Sequence, residues 1–221
     1  MLRDKVVIVT GANGALGSVA AQLAGQQGAE VIALDLRFDG TPGARRFALD
    51  LTDASATVAC VAGLGRVDVV LNIAGGFAMG PNVHETTVEQ WDHMTRLNVN
   101  TTRNMINAVV PGMLTRGRGS IVNVGALSAR EGQANMGAYC VAKSTVMRLT
   151  ESLSKELRNQ GINVNAVLPS IIDTPTNRAD MPDADFNRWV TPADLAAVMC
   201  FLGSDAARAI HGALLPVTGL A

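Results

Sequence analysis

Aromatic residues are scarce in this chain of 221 residues, and only one of them is a tyrosine, Tyr139. Excess charge of either sign is also missing, since the formal net charge is −1. A composition so balanced gives no basis for nucleic acid or an anionic membrane as partner. No apolar run reaches the roughly 18 residues that a membrane span needs. No signal peptide is read at the N-terminus, where Met1-Leu2-Arg3-Asp4 leads directly into Val6–Val9. Cysteine is limited to Cys60, Cys140 and Cys200, an odd and widely spaced set. It forms no metal or redox motif and predicts reduced thiols in a cytoplasmic protein. The three histidines, His84, His93 and His211, are too scattered for a ligand cluster, so no metal is expected. Repeats, low-complexity tracts and interdomain linkers are absent as well. The length then suits one α/β domain over 1–221.

What is present is an alternation of strands and helices. A β-branched run, Val6 to Thr10, is followed at once by Gly11-Ala12-Asn13-Gly14-Ala15-Leu16-Gly17, then by a helical pattern from Val19 to Gln27 and a second strand ending at Asp35. Strand, glycine turn, helix and strand make a βαβ unit. Its glycines let the backbone approach a pyrophosphate whose charge lies at the helix N-terminus. A carboxylate at Asp35 can accept both ribose hydroxyls and repels a 2′-phosphate, which favours NAD over NADP. Arg37 stands close enough to soften that preference. Further strands are expected at Arg45–Leu49, Val67–Ile73, Ser120–Val124, Ile162–Leu168 and Ala213–Val217. Helices are expected at Thr57–Leu64, Val88–Arg96, Val99–Leu114, from Tyr139 onward, and from Pro192 to Leu202. The expectation is a doubly wound, mostly parallel seven-stranded Rossmann-type sheet with helices on both faces. Ligands should then sit at the carboxyl ends of its strands.

Tyr139 and Lys143 open the helix that follows the fifth strand. Positions i and i+4 share a helix face. A phenol titrates too high for acid–base work at neutral pH, and an ammonium beside it favours the phenolate. The pair therefore reads as a proton donor and acceptor, or else as a buried tyrosine and a solvated lysine. Residues 170–190, rich in Pro, Asp and Asn, read as an irregular substrate lid. In it, Phe186 and Trp189 are either apolar substrate contacts or anchors to the core. Met136 precedes the tyrosine and is expected to shape substrate fit.

These pieces, in this order, resemble the short-chain dehydrogenase/reductase family over nearly the full chain. The resemblance rests on the Thr10-Gly11 turn, Asp50, Asn72-Ile73-Ala74-Gly75, Asn98, the fifth strand, Tyr139 with Lys143, and Pro169 with Thr174. It implies a nicotinamide cofactor and hydride transfer, with Tyr139 exchanging a proton with the substrate oxygen. By the same resemblance Lys143 binds the nicotinamide ribose and lowers the tyrosine pKa, and Asn98 helps hold a water-linked proton relay. Cofactor contacts are implied at Gly11, Asn13, Ala15, Leu16 and Gly17 in the turn, and at Asp35, Asp50 and Leu51. Others are implied at Asn72, Ala74 and Gly75, at Pro169, Ile172 and Thr174, and at the catalytic pair.

Two positions depart from the family pattern. The middle glycine of the turn is Gly14, where the commoner pattern has it at the position of Ala15. The serine usually found 13 residues before the tyrosine is replaced by Ala126, with Ser128 two residues on. Ala126 and Ser128 are therefore candidate substrate-side positions. The quinonoid dihydropteridine reductase branch shares the missing serine and a similar segment around Asp173–Arg178 and Met181–Phe186. The implied activity is NAD(H)-dependent oxidoreduction of a small carbonyl or alcohol. The alternatives are a quinonoid ring as substrate, or dinucleotide sensing without turnover. The resemblance also implies a homodimer or homotetramer built on the helices at 99–114 and 138–158.

Overall fold

Val6–Thr10 forms β1, and all five residues are buried because the strand is covered on both faces. Alternation sends Val7 and Val9 into one helical layer and Val6 and Ile8 into the other. The computed structural model describes residues 1–38 and 45–221. In chain order β1 is followed by α1 (Ala15–Gln26), β2 (Glu30–Asp35), β3 (Arg46–Ala48), α2 (Ala54–Ala62) and β4 (Val69–Asn72). Then come α3 (Val88–Met94), α4 (Thr101–Arg116), β5 (Gly119–Val124), α5 (Gly137–Leu157), β6 (Ile162–Pro169), α6 (Pro175–Asp180), α7 (Pro192–Leu202) and β7 (Leu214–Val217).

The strands make one seven-stranded sheet in the order β3-β2-β1-β4-β5-β6-β7. Every pairing is parallel. Helices α1 and α7 cover one face, through Leu16, Ala20, Leu195 and Met199. The other face is packed with Val61, Met105, Met113 and Leu157 of α2, α4 and α5. The chain leaves β1 towards β2 on one side and returns to β4 on the other. That reversal opens a crevice beyond the carboxyl ends of β1 and β4. No helix of the described residues is long and apolar enough to cross a membrane.

Several boundaries differ from the sequence expectation. Helix α2 runs Ala54–Ala62 and not Thr57–Leu64, because Asp53 caps it by accepting the Ala56 amide. Helix α1 starts at Ala15, not Val19, because Gly14 is already its N-cap. No break separates α3 from α4. Residues Thr95–Asn100 form a π-helical turn that joins them, and its wider winding shifts the apolar phase so that the sequence looks interrupted. The segment 170–190 is also more ordered than expected. It carries α6, a short 3₁₀ turn at Phe186–Arg188, and a bridge between Ile172 and Val190.

Candidate active site

Thr10, the last residue of β1, ties the crevice together. Its hydroxyl oxygen accepts the Ile73 amide at 2.9 Å and the Ala74 amide at 3.0 Å. This draws the chain after β4 against the glycine turn. Gly11 has φ +65, and a Cβ there would lie 3.0 Å from the Ala74 backbone. At Gly17 a Cβ would lie 2.0 Å from the Gly11 carbonyl oxygen, so the turn closes on itself only with glycine. At Gly14 the same construction gives 3.3 Å, and φ is −76. A side chain there is crowded rather than forbidden, so this glycine is held less strictly than Gly11 and Gly17.

No side chain caps α1, and its first turn holds no acid. The first amides of the helix and its positive dipole end are thus offered to an anion. The cradle fits the pyrophosphate of a nicotinamide dinucleotide. The backbone N–H of Asn13 donates to Asp35 Oδ2 at 2.8 Å, fixing the carboxylate beside the turn. Asp50 Oδ1 accepts from the Thr52 amide at 2.9 Å and the Thr52 hydroxyl at 2.7 Å. Leu51 is buried, and its carbonyl accepts from Asn104 Nδ2 at 2.9 Å. Sequence reasoning had missed that support, since Asn104 lies in an unremarkable helical stretch. Asn72 is buried and donates to Asn123 Oδ1 at 2.9 Å, linking β4 to β5.

Asn98 lies in the π turn and is buried. Its Oδ1 accepts from the Gly76 amide at 3.1 Å, and its Nδ2 donates to the Gly76 carbonyl at 3.0 Å and the Met94 carbonyl at 3.2 Å. Gly75 is threaded between two polar groups. A Cβ on it would come 2.7 Å from Asn98 Oδ1 and 3.3 Å from Lys143 Nζ. Lys143, buried in α5, donates to the Val124 carbonyl at the end of β5 at 3.0 Å. One small region therefore joins the ends of β4 and β5, the π turn and α5.

Burial governs the protonation of the pair. It pushes the Tyr139 phenol up to about 12, with the neighbouring Cys140 adding to the rise. It also pulls the Lys143 ammonium down to about 8. The expected lowering of the tyrosine by the lysine is thus not what this structure shows. The ammonium is directed to the Val124 carbonyl, and desolvation dominates both groups.

Around Tyr139 the substrate-side residues separate. Met136 is the N-cap of α5 and, with Tyr139, lines a cavity of about 210 Å³. Ala126 is buried ahead of a 3₁₀ turn, Leu127–Arg130, that carries the half-buried Ser128. Thr174 caps α6 by accepting the Asn177 amide at 3.2 Å. Ile172 accepts Asn177 Nδ2 at 2.8 Å, just beyond Pro169. Trp189 is buried and packs on half-buried Phe186 at 4.9 Å between centroids. Arg178 lies over the Phe186 ring at 4.7 Å while pairing with Asp173. Within the lid, Trp189 is an anchor and Phe186 the more open ring. Sequence reasoning also missed Phe77, whose ring meets Tyr139 edge to face at 4.9 Å. Its only signal was an apolar residue directly after a glycine pair in a loop.

Residues 11–219 match a family model described as enoyl-(acyl carrier protein) reductase. D-threitol dehydrogenase of Mycolicibacterium smegmatis is 33% identical over 242 residues, covering 99% of this chain and 93% of its own. Carveol dehydrogenase of Mycobacterium avium, solved in complex with NAD, superposes with a TM-score of 0.87 at 27% identity, covering 99% and 97%. A Beutenbergia cavernae protein described as an NAD(P)-dependent gluconate 5-dehydrogenase, with NADP at low occupancy, gives 0.90 at 29% identity, covering 99% and 96%. The chain belongs to the short-chain dehydrogenase/reductase family of nicotinamide-dependent oxidoreductases.

The depressed Lys143 pKa makes a stability prediction. Between about pH 8 and the ordinary lysine value of 10.5 the unfolded chain holds the proton that the folded chain has released. Stability therefore rises with pH across that window, and below it folding must bury a charge. Lys143→Met removes this dependence. Thermal unfolding from pH 7 to 10.5 should show the melting temperature of the unmodified protein gaining on the order of 10 °C on the variant. Parallel curves would mean that Lys143 is not buried as described.

Proposed function

We propose that this protein is an NAD(H)-dependent alcohol/carbonyl oxidoreductase in which Tyr139 is the acid and base and Lys143 and Asn98 position the site. The observation that carries this reading is Tyr139 one helical turn from a buried Lys143 whose ammonium is fixed on the Val124 carbonyl. When bound, the nicotinamide supplies the hydride in carbonyl reduction and receives it in alcohol oxidation. Tyr139 gives its phenolic proton to the carbonyl oxygen in the first direction. In the second, its phenolate takes the hydroxyl proton as the C–H bond breaks. A phenol pushed up to about 12 is protonated at neutral pH, which suits reduction; oxidation gains from alkaline pH. Lys143, still largely an ammonium at neutral pH, is the group through which the tyrosine is recharged. Gly11, Asn13, Ala15, Leu16 and Gly17 hold the pyrophosphate in this reading. Asp35 and Asp50 with Leu51 hold the adenosine half, and Asn72, Ala74, Gly75, Pro169, Ile172 and Thr174 the nicotinamide half. Assembly as a dimer or tetramer through α4 and α5 is part of the same proposal, supported by Leu114 and Val141, both exposed on those helices.

Ala126 favours a second reading of the substrate. By the family resemblance, buried Ala126 takes the position of the serine that supplies a second oxygen-binding donor, with half-buried Ser128 two residues on. Loss of such a donor typically costs on the order of 10²–10³ in rate. A quinonoid ring, which spreads the developing charge over several heteroatoms, needs it less.

Tyr139→Phe should lower turnover at least about 10²-fold on alcohols, ketones and quinonoid dihydropterin alike while NADH binding stays nearly intact. A fully active Tyr139→Phe protein would move the chemistry elsewhere. No turnover of any of them by the unmodified protein would leave dinucleotide sensing.

Asp35, held by the Asn13 amide, keeps its second carboxylate oxygen for the ribose. Titration of both cofactors should show NADH binding more tightly than NADPH, and Asp35→Ala should narrow that gap by about tenfold. Tighter NADPH binding by the unmodified protein would contradict the role given to Asp35.

A further inference from the structure

The cavity beside Tyr139 has a composition that selects its occupant. Its buried base is Met94, and half-buried Met136 and Pro81 line it with Met79. Met79 is 61% exposed, and Phe77, edge to face with the Tyr139 ring, is 52% exposed. Two large apolar side chains are therefore held in the open on the loop that borders the proton donor, Met79 among the residues lining the cavity. The loop is pinned in place. The Gly80 amide donates to the Asn135 carbonyl at 2.8 Å, and a Cβ on Gly137 would meet Val83 at 2.7 Å.

Two polar side chains of the wall, Thr86 and Gln90, are already engaged, which leaves the Asn135 amide as the main polar group facing the space. The Thr86 hydroxyl donates to the Asn82 carbonyl at 3.1 Å, and Gln90 Oε1 accepts the Thr87 amide at 2.9 Å. Glu89 and His93 lie at the exposed rim. A chain of hydroxyls entering this cavity would find few partners inside, and each one left unpaired lowers affinity about tenfold. Three methionines, flexible and polarisable, mould instead around carbon. A cavity of about 210 Å³ equals the liquid volume of roughly seven waters, or about seven non-hydrogen atoms.

Resting on the oxidoreductase reading above, we propose that the cavity between Met79, Met94, Met136 and Tyr139 takes the apolar arm of a secondary alcohol or its ketone. That arm is compact and alicyclic or branched, of about six or seven carbons, and the carbinol carbon stands at Tyr139. Polyols are then poor substrates of this chain even though a polyol dehydrogenase is among its relatives.

The test compares kcat/KM for oxidation of 1-cyclohexylethanol, 2-propanol and threitol with NAD. Burying each methylene is worth about fourfold, so 1-cyclohexylethanol should exceed both others by at least about 10²-fold. Met79→Glu, on an exposed loop residue, should cut the ratio of 1-cyclohexylethanol to 2-propanol at least about tenfold, whereas Met79→Leu should preserve it. Equal or better oxidation of 2-propanol or threitol overturns the proposal, as does a ratio indifferent to Met79→Glu. Calorimetric titration of 1-cyclohexylethanol into the NADH-saturated protein separates the two readings. Binding that Met79→Glu abolishes, without turnover of any alcohol, upholds the cavity and removes the oxidoreductase reading. Absence of both binding and turnover overturns the cavity assignment.

Discussion

The amide of Asn98 grips both peptide groups of Gly76, accepting from its N–H and donating to its carbonyl. A two-point bond of this kind holds the chain after β4 in one orientation, and each buried half that loses its partner costs about 1–3 kcal/mol. The grip depends on the π turn at Thr95–Asn100, which turns Asn98 inward while α3 and α4 continue on either side. With Gly76 fixed, Gly75 runs between Asn98 and Lys143 with no room for a side chain. Lys143 in turn holds the Val124 carbonyl. The wall of the cofactor crevice, the lysine and the end of β5 are thus one assembly, and Tyr139 stands a helical turn before that lysine. The resemblance to the family gives Asn98 a part in a proton relay. Its side chain here acts on Gly76 and Met94, which makes it a positioning residue in the functional reading.

Much of this was legible in the residues. The run from Val6 to Thr10 reads as a buried parallel strand because nothing polar interrupts it before the turn. Gly11 and Gly17 read as glycines that let the backbone approach a pyrophosphate; the structure adds that a Cβ on Gly17 would lie 2.0 Å from the Gly11 carbonyl oxygen. Asp35, at the end of β2, falls beside the turn as the βαβ geometry requires. Tyr139 and Lys143 share a helix face because their spacing allows nothing else.

What stayed hidden depends on distant packing. A π turn leaves no mark except a slip in apolar phase, so Val88–Arg96 and Val99–Leu114 read as separate helices. The direction of the Lys143 ammonium could not be read either. It follows from Val124, which only the β5–α5 contact brings within reach, and it is why burial rather than mutual charge sets both pKa values. Phe77 and Met79 sit in a loop without periodicity, so their convergence on Tyr139 needed the fold. Trp189 and Phe186 looked equivalent in sequence, and only their burial separates an anchor from a more open ring.

Asn98 fixes Gly76 in place. Amide hydrogen exchange measures it directly, because the Gly76 N–H is the donor of one half of the grip. In the unmodified protein this amide should exchange at least about 10³-fold more slowly than an unprotected one, and in Asn98→Ala it should approach the free rate while β1 amides such as Ile8 keep their protection. A Gly76 amide that exchanges freely in the unmodified protein, or stays protected in Asn98→Ala, would contradict it.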